Sequence, residues 1–350
     1  MNQDSMSRLN ELKRIAFPEL VGKQTLRDLM RKRRRAMDSR LSLYKSKRIA
    51  ERILAMKELN NASTIAMYAS MPEEASTDGL AQALLQRGAA LLYPVTSGDA
   101  IEFYKITSLE SLSVNGAFGI REPDINICPR VAIQEADVIL APGVGFDVFG
   151  ARIGFGGGYY DRLLIQKRED ALVVGLAFES QVVHAVETET HDMVMDVVAT
   201  DDTLYRPHLS ETVCENEDET RRLARSILEK KSDGVIALHG NLGAGKTCFV
   251  NGLAEALHTR EAVASPTFVY CREYHGDKLL IHADAYRLES VPEYETDYWA
   301  QLFESDGVVA VEWAERLGGL LPKSAVHCFS EVVSENTRRW THFKTRAEGE

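Results

Sequence analysis

Three features of the chain predict a two-domain α/β protein. Its 350 residues are enough for roughly two domains. Short apolar runs alternate with helical stretches in both halves, the pattern of a mainly parallel sheet. A complete G-x-x-x-x-G-K-[ST] phosphate loop, Gly240-Asn241-Leu242-Gly243-Ala244-Gly245-Lys246-Thr247, begins only after a long stretch of other sequence. Such a loop closes the first strand of its own domain, so the chain before about residue 210 should fold separately.

Taken in order, residues 21–60 carry few breakers and many Leu, Met, Lys and Arg, and read as helix. Arg31-Lys32-Arg33-Arg34-Arg35 is the densest basic run there. At helical spacing it forms the solvated side of a helix whose apolar partners are Leu26, Leu29, Met30 and Met37; attraction of a polyphosphate is the second reading. Residues 63–70 suit a buried strand, 80–87 a helix, and 90–95, 137–141 and 171–177 further strands. Between 204 and 220 the sequence turns polar and acidic, a linker composition. From Arg221 a helix leads into an apolar strand over 234–239, followed by the phosphate loop. Strands are also expected over 278–283 and 307–311, each followed at once by an acidic residue. The expected layout is an N-terminal extension over 1–20, a domain over 21–203, a linker over 204–219, a second domain over 220–330 and a loose polar tail over 331–350.

Hydrophobic residues make up 45 % of the chain and charged residues 27 %, which suits an ordinary packed core. No apolar stretch is long enough for a membrane span, and the N-terminus lacks a signal-peptide core. The five cysteines, at 128, 214, 248, 271 and 328, form no C-x-x-C pair, so neither a disulfide framework nor a zinc site is expected, and the expected compartment is a reducing cytoplasm. Beyond the basic first sixty residues the chain is acidic, with a net charge of −11 overall, which disfavours direct nucleic-acid binding.

The chemistry of the phosphate loop follows from its residues. Gly240, Gly243 and Gly245 let backbone N–H groups turn inward around a polyphosphate. Lys246 reaches the β- and γ-oxygens, and the Thr247 hydroxyl is placed to ligate Mg²⁺. Loops of this kind need an acid at the end of a neighbouring strand, and Asp284 fits that role. Glu312, after a second apolar strand, is suited to orienting an attacking water. Either carboxylate alone could simply close a strand at the surface, but the two together, each after a buried strand, favour catalysis. From the residues alone the alternative is a small-molecule kinase, but the stretch after Glu312 has only Arg316 before Pro322, too little for an arginine-rich lid.

The order of motifs resembles the TsaE family of ATPases. GNLGAGKT is followed by Ser265-Pro266-Thr267-Phe268, His282-Ala283-Asp284-Ala285-Tyr286-Arg287, Glu312-Trp313-Ala314-Glu315-Arg316-Leu317 and Leu321-Pro322, covering about residues 215 to 330. Asn241 replaces the usual Asp, a near-isostere. The resemblance implies a P-loop NTPase fold in which Gly240 to Thr247 bind ATP with Trp313, and Thr247 and Asp284 hold Mg²⁺. It also implies that Thr267 lies in a switch loop and that Glu312 supports hydrolysis. Partners would be proteins of the tRNA threonylcarbamoylation machinery; a partner-dependent assembly module is the alternative to a free-standing ATPase.

Upstream, Arg152-Ile153-Gly154-Phe155-Gly156-Gly157-Gly158-Tyr159-Tyr160-Asp161 is a second ligand loop of different design. Its glycines allow close backbone approach, Arg152 is a phosphate fork, Asp161 a metal carboxylate, and the tyrosines can cover a planar ring. With Pro142-Gly143-Val144-Gly145-Phe146-Asp147 before it and His191-Asp192 after it, this half resembles 5-formyltetrahydrofolate cyclo-ligase over residues 20 to 203. Lys23 with Arg27, Glu74 with Thr77, and Gly119-Ile120-Arg121-Glu122-Pro123 match further family motifs. The resemblance implies a Rossmann-like α/β fold that uses ATP to close 5-formyltetrahydrofolate to the methenyl form. Lys23, Arg27, Arg152, Gly154, Gly156, Gly157, Gly158, Tyr159 and Tyr160 would meet ATP, with Arg152 catalytic. Asp161 and Asp192 would hold Mg²⁺, while Glu74, Phe118 and Tyr160 would face the folate. His191 is read as a neighbour of Asp192 rather than a catalyst. The whole is expected to be a bifunctional fusion.

Overall fold

A computed structural model describes residues 3–98, 100–114, 119–189, 192–229, 234–266, 270–289 and 291–346. Phe118, Thr267, Phe268 and His191 lie outside the described residues. The chain forms two compact units, one built from Val21–Arg206 and the other from Pro207–Arg346 together with Asp4–Leu20.

The first unit begins with helices α2 (Lys23–Arg35), α3 (Ser39–Ala55) and α4 (Lys57–Asn60), preceded in the chain by α1 (Gln3–Ala16). Asp38 separates α2 from α3 because its carboxylate caps α3, accepting from the backbone N–H of Arg40 at 2.9 Å. Strands β1 (Thr64–Ala66), β2 (Ala90–Ser97), β3 (Ala100–Ile106) and β4 (Val138–Pro142) follow, with α5 (Asp78–Gln86) between β1 and β2. A short hairpin of β5 (Gly145–Asp147) and β6 (Arg152–Ile153) leads through the glycine loop into α6 (Tyr159–Leu164). Strands β7 (Leu172–Leu176) and β8 (Val197–Ala199) extend the sheet, whose central order is β8-β7-β4-β1-β2-β3. All neighbours are parallel except β2 and β3. Strands buried on both faces read as unbroken apolar runs, as in Val138 to Ala141. Ile65, Leu91, Leu140 and Val174 pack in one core with Ile49, Ile53, Leu80 and Leu84 from the helices. The strand expected over 63–70 stops at Ala66, and the chain beyond it turns away to carry Glu74.

Three expected boundaries are corrected. The segment over 204–219 is not a linker: Leu204–Cys214 is strand β9, and helix α7 (Glu217–Glu229) starts almost at once. Its polar sequence reflects a strand whose two ends are buried and whose middle is half-buried or exposed. The tail expected over 331–350 is structured as far as Arg346. Strand β14 (Val326–Val332) pairs with β15 (Arg338–Arg346) in a hairpin that buries Trp340 completely against Phe249. Finally, the extension over 1–20 carries helix α1 over Gln3–Ala16, whose apolar side is packed within the second unit.

That second unit carries β10 (Gly234–His239), helix α8 (Lys246–Ala256), β11 (Cys271–His275), β12 (Leu279–Asp284), helix α9 (Thr296–Phe303) and β13 (Gly307–Glu312). The sheet order is β11-β12-β13-β10-β14-β15, parallel from β12 to β14 with an antiparallel strand at each side. Helices α7 and α8 cover one face, where Leu223, Ile227, Phe249 and Leu253 meet Ile236, Leu238 and Cys328. The phosphate loop therefore leaves the carboxyl end of a central strand, where parallel sheets place their ligands.

Two candidate active sites

In the first unit, β1 is flanked by β2 on one side and β4 on the other, so the connections after β1 and β4 diverge. This is a topological switch point, and the loops bearing Glu74 and Arg152 converge on it. Asp147 is fully buried and accepts N–H bonds from Phe149 at 3.0 Å, Ala151 at 2.8 Å and Val186 at 2.8 Å, so it shapes the hairpin rather than meeting a ligand. Gly156 and Gly158 have φ of 112° and 65°, left-handed values that side-chain-bearing residues resist.

Arg152 is 6 % exposed and donates from Nη2 to Asp161 at 2.8 Å and from Nη1 to the Pro142 carbonyl at 3.3 Å. Its guanidinium lies 5.7 Å from the centre of the Tyr160 ring. Arg27 donates to the Gly154 carbonyl at 2.9 Å, pinning the start of the glycine loop. Lys23 pairs with Asp192 and, at 3.3 Å, with Glu189. Asp161 and Asp192 are thus each held by a cation, and among the described residues no cluster of three His, Cys, Asp or Glu side chains forms a ready metal cage. Tyr159 stacks on Arg162 at 5.1 Å.

Glu74 is 7 % exposed; burial raises its pKa, opposed by a hydrogen bond from the Met71 N–H at 2.9 Å and by the charge of Arg34. Burial also raises the Tyr160 pKa, with Arg152 opposing the shift and Glu74 adding to it, so the three groups share one electrostatic environment. Arg152 Nε, the Tyr160 hydroxyl and Glu74 Oε1 are buried without a hydrogen-bond partner among the described residues. Buried polar atoms in that condition are costly, and a polar ligand would satisfy them. One member was missed from sequence. Arg34, counted in the solvated basic run, is 5 % exposed and faces Glu74 at 3.6 Å. The signal was available: 26, 30 and 34 step by four along α2, and Leu26 and Met30 are its buried residues too. Leu29, expected among the apolar partners, is instead 40 % exposed.

In the second unit the phosphate loop folds around its own lysine. Lys246 donates to the carbonyls of Gly240 at 2.6 Å and Asn241 at 3.0 Å, and its ammonium sits 3.9 Å from the Trp313 ring centre. Burial lowers its pKa, while Glu312, Glu315 and Asp284 oppose the shift. Asp284 and Glu312 end adjacent strands in register, and both are nearly fully buried. Glu312 Oε1 accepts from the Thr247 hydroxyl at 2.7 Å and lies 2.9 Å from His282 Nε2. Asp284 accepts from the Tyr286 N–H at 2.8 Å and from the Ser265 hydroxyl at 3.3 Å. The structure brings Lys246, Thr247, Glu312 and Trp313 together, with Asp284 one strand over. Trp313 holds φ at 56°, a strained value for an aromatic residue, which turns its ring over Lys246. Leu242, inside the loop, is 83 % exposed and touches none of this.

Sequence reasoning also missed the hairpin beneath the loop. Ser330 donates to the Ala244 carbonyl at 2.6 Å, and Arg338 donates to the Gly243 carbonyl at 2.9 Å and 3.2 Å. A Cβ on Gly240 would lie 2.5 Å from the Ser330 carbonyl oxygen, so this glycine is required by close approach. No motif spacing marks Arg338, because it sits in the stretch read as a tail. Replacing Arg338 with Ala removes both charge-assisted bonds to the Gly243 carbonyl, each worth about 1.5–3 kcal/mol where buried and less in this exposed position, along with those to the Ser334, Glu335 and Thr337 carbonyls. The expected outcome is about tenfold weaker nucleotide binding to this unit with little change in melting temperature, read by titration.

Comparison with known proteins places both halves. Residues 19–201 match the 5-formyltetrahydrofolate cyclo-ligase family, and residues 214–340 match the threonylcarbamoyl adenosine biosynthesis protein TsaE. The chain belongs to both families. The TsaE protein of Aquifex aeolicus is 47 % identical over 112 residues, 31 % of this chain and 79 % of that protein. The 5-formyltetrahydrofolate cyclo-ligase of Mycolicibacterium smegmatis is 34 % identical over 145 residues, 39 % of this chain and 73 % of that protein. An NMR structure of the Aquifex aeolicus 5,10-methenyltetrahydrofolate synthetase is 32 % identical, covering 53 % of this chain and 92 % of that one with a TM-score of 0.48. No helix of the described residues is long and apolar enough to cross a membrane.

Proposed function

We propose that the chain is bifunctional: its cyclo-ligase half converts 5-formyltetrahydrofolate to 5,10-methenyltetrahydrofolate with ATP, and its TsaE half hydrolyses ATP in support of tRNA threonylcarbamoyladenosine formation. The observation that supports the reading is that each family region lies within its own unit, with its own glycine loop and adjoining cation.

In the cyclo-ligase half the γ-phosphoryl group passes from ATP to the formyl oxygen, ADP leaves, and the neighbouring folate nitrogen attacks the activated carbon as phosphate departs. Charge accumulates on the transferring group, so preorganised cations lower the barrier. Lys23, Arg27 and Arg152 supply them, with Arg27 holding the glycine loop in place. Gly154, Gly156, Gly157 and Gly158 admit the phosphates, and Tyr159 borders them. Glu74 and Tyr160 meet the folate, Glu74 being a carboxyl whose raised pKa lets it share a proton with a ring amide. A magnesium ion, when bound, would supply charge neutralisation of the triphosphate. The carboxylates of Asp161 and Asp192 are hard oxygen donors suited to it and would exchange their present cations.

In the TsaE half, Gly240 to Thr247 cradle the phosphates and Trp313 borders the site. Thr247 and Asp284 offer the hard oxygen donors that suit magnesium, which would neutralise the transferring phosphoryl group. Glu312 orients the attacking water. Partner proteins of the tRNA-modifying machinery would act through this half. One observation favours the assembly-module reading of its turnover: Lys246 is engaged by loop carbonyls and by Trp313, contacts that a phosphate must displace. A cytoplasmic location accords with five free cysteines.

The test is a pair of assays on the full chain. Methenyl product should form with ATP and 5-formyltetrahydrofolate, and ATP should be hydrolysed without folate at a rate that rises when tRNA-threonylcarbamoylation proteins are added. Absence of methenyl product from the folded chain would refute the first activity. ATP hydrolysis absent with and without those proteins would refute the second.

A further inference from the structure

Helix α1 lies outside both family-matched ranges, which begin at residues 19 and 214, yet it belongs to the second unit. Leu9, Leu12, Lys13 and Ala16 are all buried, at the spacing of one helix face, and Phe17 continues that face. Arg8 reaches Glu331, and the Phe17 ring meets His327 edge-on with centroids 5.4 Å apart. Glu331 and His327 stand on the same face of β14, with Phe329 between them. Cys328, on the alternate face, packs with α7 and α8 instead.

The contact leads inward to the nucleotide loop. His327 Nδ1 lies 3.0 Å from His239 Nε2, and His239 Nδ1 lies 3.2 Å from Glu315. The His239 ring also stacks on Phe329 with centroids 4.6 Å apart. His239 is the last residue of β10, so the next peptide opens the phosphate loop at Gly240. Glu315 follows directly on the corner formed by Glu312 and Trp313.

We propose that the β14 face carrying His327, Phe329 and Glu331 is a helix-docking surface whose resident ligand is α1, and that its occupancy sets nucleotide affinity through His239. The occupant it fits is an amphipathic helix with an arginine near its start and an aromatic residue at its end. The chain supplies one in cis, so the TsaE-type unit is completed from the opposite terminus. Docking stands on the packing alone; the coupling rests on the reading of Gly240–Thr247 as a nucleotide site.

Removing residues 1–18 from the chain and offering a synthetic peptide of residues 2–18 tests both parts. All three tryptophans, Trp299, Trp313 and Trp340, lie in the second unit, so quenching of their emission by ATP reports that site alone. The truncated chain is expected to bind the peptide while the intact chain does not. Its ATP affinity should fall at least fivefold and recover with peptide. Methenyl formation should be unchanged, which shows that the first unit is folded, while peptide-restored ATP affinity reports the fold of the second. No peptide binding overturns the docking surface. Peptide binding with ATP affinity within twofold throughout overturns the coupling. Loss of ATP affinity that peptide fails to restore counts against both. If the truncated chain precipitates, the intact Arg8→Glu variant decides: amide exchange in α1 should rise at least fivefold and return towards normal in Arg8→Glu/Glu331→Lys. Unchanged exchange in the single variant, or no return in the double, overturns the docking surface.

Discussion

Replacing Arg152 with Gln is expected to lower methenyltetrahydrofolate formation by about 10²–10³-fold, the scale for losing one preorganised donor to a developing charge. The same side chain bonds Asp161 at 2.8 Å, the Pro142 carbonyl at 3.3 Å and stacks near Tyr160, so it holds the site together as well as charging it. Removing it leaves Asp161 partly buried without its cation, which costs stability. The double variant Arg152→Gln/Asp161→Asn removes that stranded charge, and with it a proposed magnesium carboxylate. Its melting temperature should recover while turnover does not. Recovery of turnover with stability would mean that Arg152 only supports the fold.

Replacing Glu312 with Gln should cut ATP hydrolysis by the second unit about 10²–10⁴-fold while nucleotide affinity stays within about threefold. Glutamine keeps an oxygen acceptor where Glu312 meets the Thr247 hydroxyl at 2.7 Å and His282 at 2.9 Å, so the local geometry has a near-isosteric replacement. What is lost is the charge that orients and polarises water. The check is pre-steady-state hydrolysis alongside tryptophan titration. A parallel loss of affinity and turnover would assign Glu312 to ligand binding instead.

The two sites were legible to different degrees. The phosphate loop, Asp284 and Glu312 could be read from sequence because each follows an apolar strand that ends at one edge of a parallel sheet. The strand over 234–239 appears with the boundaries its apolar run marks. The glycine loop with Arg152 was legible for a similar reason: several glycines in succession have few other uses. Residues defined only by packing were not legible. Arg34 steps by four from Leu26 and Met30, which marks it for burial, but its partner Glu74 shows only when the helix is laid against the sheet. Arg338 and Ser330 hold the phosphate loop through backbone carbonyls, which place no demand on spacing near the loop itself. Strand β9 was hidden because its middle is solvated, so composition there resembles a linker. Helix α1 was hidden because its partner lies at the other end of the chain.

The central claim is that two self-sufficient nucleotide sites share one chain, and the most direct measurement is methenyltetrahydrofolate formation by the full-length Lys246→Ala variant. Lys246 is 4 % exposed, and its contacts with Gly240, Asn241 and Trp313 lie within the second unit. The account predicts turnover equal to that of the unmodified chain, with ATP hydrolysis in the absence of folate abolished. Collapse of methenyl formation in a folded variant would contradict it and make the two sites a single coupled machine.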